Sequence, residues 1–339
     1  MKNPNRVQAS LVAVAALIAA MAIPVPAAQQ AGQQGRGAAP VNDSKTTKEE
    51  LERWMKELSN WGRWGKDDQR GAANLITPAK RKQALALART GETVSLAHDT
   101  LMEKAVDAAT PFEHRTTVMA ERGIAVEQQQ VSFHGSTFTH LDALCHISYQ
   151  GQLYNGVSFQ QSVSEAGGCS NLAITTFKDG IVTRGILLDI PRLKGVPYLD
   201  AGAKVYIEDV EAWEKKAGIK IGPGDAVFLR TGRWARRAKE GPFANFAGFD
   251  ASFAPFLKRR DIALIGSDAV LDAGNVPGFP LAVHTFALVA VGVNIFDNAD
   301  LEALAETAAR LNRWEFLLTA APVRVTNGTG SPINPIAVF

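Results

Sequence analysis

From residue 46 onward the apolar positions follow two spacings that alternate along the chain. Some stretches repeat every three to four residues and read as helices. Others alternate singly or run apolar over short spans and read as strands. The helical spacing covers 46–58, 78–88, 207–217, 253–260, 281–291 and 301–310. Thr77 followed by Pro78 suits a helix start, because threonine caps free N–H groups and proline has none to cap. Gly218 and Gly292 follow two of these stretches, where a left-handed residue ends a helix with least strain. The strand-like stretches are 93–97, 131–142, 181–190, 226–231, 262–266, 293–296, 314–320 and 323–326. Helices and strands interleave without an internal repeat or a mid-chain linker. That order predicts one domain over 46–339, α/β or α+β, with layered sheets and flanking helices.

The N-terminal segment has a different pattern. Lys2 and Arg6 precede an uncharged apolar run over 11–23, and small residues follow at 25–28. This is the layout of a secretory signal peptide over 1–28. The run is shorter than the ~20 residues a membrane span needs. Residues 29–45, rich in Gln, Gly and Ala, predict a flexible leader. The mature protein is therefore expected to be secreted into a periplasm, with no membrane attachment once the signal is cut.

Composition narrows the classes. The chain is 46% hydrophobic and 21% charged, which excludes a disordered or collagen-like protein. Without Lys2 and Arg6 it carries 34 basic and 34 acidic residues, so no charge excess points to nucleic acid. Two cysteines, Cys145 and Cys169, cannot build a disulfide scaffold or a cysteine-only zinc site. Two buried thiols are the expectation for them, although export permits a disulfide.

The candidate chemistry concentrates in the stretch from His134 to His146, which holds three of the six histidines. His140 and Asp142 are two apart. On an extended chain they project from one face and can close on one divalent cation. His146 reaches the same ion if the chain curls after Asp142. His134 shares the face but lies ~20 Å from His140 along a straight strand. It joins only if the chain bends, and Gly135 gives that freedom. Imidazole with carboxylate suits Zn²⁺, Mn²⁺ or Fe²⁺. His284 and Asp297 flank a helix–strand pair that could bring them to one end of a layer. For each residue taken singly, a hydrogen-bonded structural role is the alternative.

Thr139-His140-Leu141-Asp142-Ala143-x-x-His146 resembles the signature of the metal-dependent cyclase family of hydrolases. The block Asn60-Trp61-Gly62-Arg63-Trp64-Gly65, the block 71–78, and Gly224 to Gly232 also resemble it. So do Gly266-Ser267-Asp268, His284, and Gly292 to Asn298. The family is similar to kynurenine formamidase, isatin hydrolase and trans-dienelactone hydrolase, and this chain resembles its longer, exported members. The resemblance implies a swivelling β/β/α fold and a homodimer. It also implies a site of one or two ions, Zn or Mn, held by His140, Asp142, His284 and Asp297. Its chemistry would be hydrolysis of an amide, lactam or lactone in a small cyclic or aromatic substrate by a metal-activated water. His146 would then serve as general base and acid. Two positions depart from the family pattern. Ser136 stands where a ligand four residues before His140 is usual, so His134 is the candidate substitute. Asp297 stands where Glu is usual.

Trp61, Trp64, Phe138 and Tyr154 are candidates for an apolar substrate wall, with core packing as the alternative. The basic cluster 233–239 predicts a solvated helix face. No Gly-x-Ser-x-Gly, Gly-x-x-x-x-Gly-Lys-Ser/Thr or Gly-x-Gly-x-x-Gly occurs, so serine-hydrolase and nucleotide motifs are missing. A periplasmic small-molecule binding protein and a catalytically degenerate family member are the competing readings.

Overall fold

The computed structural model describes residues 42–339. The expected signal peptide and most of the expected leader lie outside the described residues.

The strands are β1 (Thr93–Ser95), β2 (Glu113–Met119), β3 (Ile124–Gln130), β4 (His140–Asp142) and β5 (Val163–Ser164). They continue as β6 (Gly168–Cys169), β7 (Ile181–Asp189), β8 (Lys204–Val205), β9 (Ala226–Arg230) and β10 (Gly248–Phe249). The last are β11 (Leu264–Ser267), β12 (Asn294–Asp297), β13 (Glu315–Ala320), β14 (Gly330–Pro332) and β15 (Ile336–Val338). Nine of them form one mixed sheet in the order β1-β15-β13-β7-β9-β11-β12-β4-β14. Its centre, β7-β9-β11-β12, is parallel. Such strands are covered on both faces, and β9 and β11 are accordingly buried throughout. β4 joins antiparallel to β12 and is closed off by antiparallel β14. The architecture is the layered α/β one expected, with mixed sheets and flanking helices.

The helices are α1 (Lys48–Glu57), α2 (Pro78–Leu85), α3 (Phe159–Ser162), α4 (Ile190–Lys194) and α5 (Ile207–Ala217). They continue as α6 (Arg233–Glu240), α7 (Ala254–Arg259), α8 (Ala282–Thr285) and α9 (Glu302–Leu311). The local chemistry of the starts and stops operates as read. Thr77 accepts from Lys80 N with Pro78 in the first turn, and Gly218 and Gly292 are left-handed.

Four expectations are corrected. Only 140–142 of the expected strand 131–142 is extended, because the chain turns through 134–137 with Gly135 at φ 106°. The expected strand 323–326 is irregular and exposed, and β14 and β15 close the sheet instead; Val323 spends its N–H on the Ser331 hydroxyl. The helix expected over 281–291 divides into α8 and a wider π-helical stretch, Phe286–Val291. The 59–61 loop caps that stretch: Asn60 N, Asn60 Nδ2 and Trp61 Nε1 donate to the carbonyls of Ala290, Val291 and Val289. Gly292 then packs on Gly71, where a Cβ would stand 2.2 Å from the Gly292 carbonyl oxygen. The fourth is the β2–β3 hairpin, which the apolar spacing did not mark. All of its strand residues are exposed, so burial imposes no alternation on it.

Candidate metal centre

β4 places His140 and Asp142 on one face, between β12 and β14. The register sets Asp297 opposite His140 and Gly330 opposite Asp142. The hairpin-like turn at Gly135 folds His134 back over this strand. Its Nδ1 stands 3.1 Å from Asp142 Oδ1, and its Nε2 pairs with the Thr329 hydroxyl at 2.9 Å. The bend that would bring His134 to Asp142 is therefore present, and Ser136 points elsewhere, its hydroxyl donating to the Asp107 carbonyl. α8 supplies His284, whose Nε2 is 3.0 Å from Asp297 Oδ2 and 3.9 Å from Asp142 Oδ2. His146 stacks on His134, ring centroids 3.8 Å apart and planes 3° from parallel. The structure thus gathers His134, His140, Asp142, His146, His284 and Asp297. His98 stacks on Trp234, and His114 faces Glu127 on the hairpin.

The ring orientations are fixed from behind. His140 Nδ1 is 2.8 Å from the Phe138 carbonyl, which makes it the donor and leaves Nε2 facing Asp142 at 3.4 Å. His284 Nδ1 is 2.5 Å from Asp272 Oδ2, and Asp272 also accepts from the N–H groups of Val283 and His284. A carboxylate behind a histidine sets its tautomer and raises its basicity.

Electrostatics follow from burial and crowding. Burial would raise the Asp142 carboxyl, but His146 and His140 outweigh it and hold it well below the usual carboxylate range. Burial likewise opposes charge on His284, yet Asp297 and Asp272 lift it well above the ordinary histidine value. His140 is raised too, with Asp142 and Asp297 overcoming burial. His146 moves the other way. Burial, helped by the neighbouring histidines, pushes it down to about 4, against the pull of Asp142.

The donor set fits a divalent cation. Both oxygens of Asp142, Oδ1 of Asp297 and Nδ1 of His134 are buried without a hydrogen bond of acceptable geometry. Buried polar atoms are almost always paired, so four in one cluster need an explanation. Ligand atoms of His134, His140 and Asp142 lie within 4.8 Å of one another, as do those of Asp142, His284 and Asp297. Asp142 belongs to both groups, so the cluster offers one shared or two adjoining positions.

The aromatic candidates are not gathered in the same way. Phe138 is buried beside the cluster and touches Phe112, centroids 5.7 Å apart. Tyr154 is fully buried with its hydroxyl on Asp68, so it packs the core. Trp64 stacks on Arg63. Trp61 lines a separate cleft of about 440 Å³ with Tyr149, Met55 and Val289, and none of the clustered histidines lines that cleft. The aromatic ring beside the cluster that the sequence reading missed is Phe133, 4.4 Å from His134 and 5.9 Å from His140. Asp272 and Thr329 carry no spacing relation to the histidines that would mark them in the sequence. Arg233 departs from the solvated face expected of 233–239. It is buried, bonding Asn298 Oδ1 and the Ser136 carbonyl, and so ties the 134–138 turn to the residue after Asp297.

Comparison with known proteins agrees with this architecture. The family model described as putative cyclase matches residues 77–271. A solved structure described as a novel cyclase is 33% identical over 84% of this chain and 99% of its own, with a TM-score of 0.77. The chain belongs to the cyclase family. Isatin hydrolase A from Labrenzia aggregata, solved with benzyl benzoate, shares the fold at 20% identity, covering 76% of this chain and 97% of its own, TM-score 0.53. An isatin hydrolase bound to the product analogue thioisatinate does so at 19% identity over 73% and 92%, TM-score 0.51. No curated protein sequence matches the chain.

Proposed function

We propose that this protein is a metal-dependent hydrolase that cleaves an amide, lactam or lactone bond in a small cyclic or aromatic substrate. One observation carries the reading: the two oxygens of buried Asp142 lack well-formed hydrogen bonds, with three imidazoles around them and Asp297 in the same cluster. His140, Asp142, His284 and Asp297 would hold the ion, Zn or Mn, with His134 completing the set that Ser136 leaves short. When bound, such a cation supplies Lewis acidity that polarises a carbonyl and acidifies water. The isatin hydrolases that share the fold act on a cyclic substrate of this kind by name, which accords with the proposal.

The chain's own residues supply the rest. The Phe138 carbonyl and Asp272 turn the Nε2 atoms of His140 and His284 inward. His146, held neutral at pH 7, accepts a proton from the attacking water. Once protonated it is acid enough to hand that proton to a leaving nitrogen or oxygen. Phe133 and Phe138 offer flat apolar surface beside the cluster.

Export and a homodimer belong to the same proposal. The Cys145–Cys169 disulfide supports an oxidising compartment, in place of the two buried thiols expected. Sedimentation of the mature protein tests the dimer. Elemental analysis of the purified protein beside a His140→Ala/Asp142→Ala variant tests the site. Zn or Mn in the first and none in the second supports it, and turnover on an ester, lactone and lactam panel then supports hydrolysis. No metal in either after incubation with Zn²⁺ and Mn²⁺ overturns the reading in favour of a binding protein.

A further inference from the structure

The disulfide joins Cys145 to Cys169 across 24 residues, and both cysteines are buried. Cys145 immediately precedes His146. Cys169 lies on β6, where its N–H donates to the Asn327 carbonyl at 2.8 Å, and Asn327 Nδ2 returns a bond to the Gly167 carbonyl at 2.9 Å. Two residues on, Thr329 pairs its hydroxyl with His134 Nε2 and accepts from Ala143 N at 3.0 Å. Both rings of the stacked pair therefore hang from one short segment, 327–329. His134 is held there through the Thr329 side chain, and His146 through the disulfide.

Four of the metal-ligand candidates are held by other means. His140 and Asp142 sit in β4 between two partner strands, Asp297 in β12, and His284 is held by Asp272. His146 has a weaker hold. Its backbone N–H bonds the Ala143 carbonyl, and its ring rests on His134.

We propose that the Cys145–Cys169 disulfide is a positioning pair for His146, fixing its imidazole against His134 while His140, Asp142, Asp297 and His284 keep their separate supports. The inference rests on the reading of His146 as the proton carrier of a hydrolase site. A phosphine reductant opens the bond: phosphorus attacks one sulfur, water supplies its oxygen to give the phosphine oxide, and two thiols take up the protons. The His146 turn then loses its tie to 327–329.

The test uses the mature protein in oxidised form, after reduction with a phosphine and its removal, and after reoxidation with oxidised glutathione. The Cys145→Ala/Cys169→Ala and Cys169→Ala variants run in parallel. Each sample is loaded with Zn²⁺ and assayed for zinc per chain. Each is also treated with diethyl pyrocarbonate, and the acylation rate of every histidine is mapped by mass spectrometry. Opening the disulfide is expected to speed acylation of His146 about tenfold, as local opening exposes it. Reoxidation restores the slow rate, zinc content is unchanged, and His114 on the exposed hairpin stays constant as the internal standard. A lower melting temperature with an unchanged His146 rate makes the bond merely structural and overturns the proposal. Loss of zinc together with faster acylation also overturns it, because the bond then holds the whole cluster. If the oxidised protein binds no zinc at all, the hydrolase reading fails, while the His146 rates still decide the positioning role. If the variants do not fold, the reduced and reoxidised wild-type samples decide alone.

Discussion

Two buried aspartates, Asp142 and Asp225, show what separates a site from a scaffold. Each is essentially without solvent exposure. Asp225 is fully provided for: Lys80 Nζ and Arg184 Nε reach Oδ1, while Arg184 Nη2 and Gly222 N reach Oδ2 at 2.6 and 2.8 Å. Asp268 is similar, with Thr231, Gly232 and Arg233 converging on it. Neither oxygen of Asp142 has a hydrogen bond of good geometry, and imidazoles surround it. A carboxylate with matched donors holds the fold together. One without well-aligned donors, among groups that double as metal ligands, fits a cation.

The largest test of that contrast is at Asp225. Asp225→Ala leaves buried Lys80 and part-buried Arg184 without their shared partner and is expected to lower stability by about 3–5 kcal/mol in a denaturant melt. Asp142→Asn should instead abolish stoichiometric Zn²⁺ retention, while the melting temperature of the metal-free protein falls far less. Equal loss of stability in the two variants would break the comparison.

A step further from the ion, Asp272→Asn keeps the shape but removes the charge behind His284. Zn²⁺ affinity, read by competition with a chelating dye, is expected to fall about 10–100-fold. An unchanged affinity would remove Asp272 from the account of the site.

The smallest effect concerns a pair that is only partly buried. The hydrogen bond from Arg63 holds the Asp261 carboxyl below its usual value, although partial burial opposes the shift. The folded carboxyl therefore ionises at lower pH than the unfolded one. Its stabilisation is present above the unfolded pKa of ~3.9 and is lost as pH falls through the folded value. Asp261→Asn should remove this part of the acid loss, under about 1 kcal/mol, in melts between pH 6 and pH 2.

The contrast also explains what could be read in advance. His140 and Asp142 were legible because two residues on a strand share a face, and the helix ends at Thr77, Gly218 and Gly292 because capping chemistry is local. The relation of His134 to Asp142 was open, since it depends on a turn at Gly135 that spacing permits without requiring. Asp272 carries no local signal: its partner is the ring of a residue twelve positions on. Arg233 looked like one more surface cation of 233–239, because burial of a charge is decided by distant partners, here Asn298 and the Ser136 carbonyl. The β2–β3 hairpin failed for the opposite reason, having no buried face to pattern it.

The position of β4 between β12 and β14 bears on how the protein is made. Residue 142 pairs with residue 330 and residue 140 with residue 297, so the donors are joined by long loops that must close before they meet. During synthesis the His140–Asp142 strand exists while more than half of the 339 residues, including every residue that flanks it in the sheet, are still to come. Non-local pairing of this kind is slow to form. The donor cluster is therefore completed late, once the C-terminal strands are in place, and a chain cut short before β14 would carry the histidine signature without the pocket that gives it meaning.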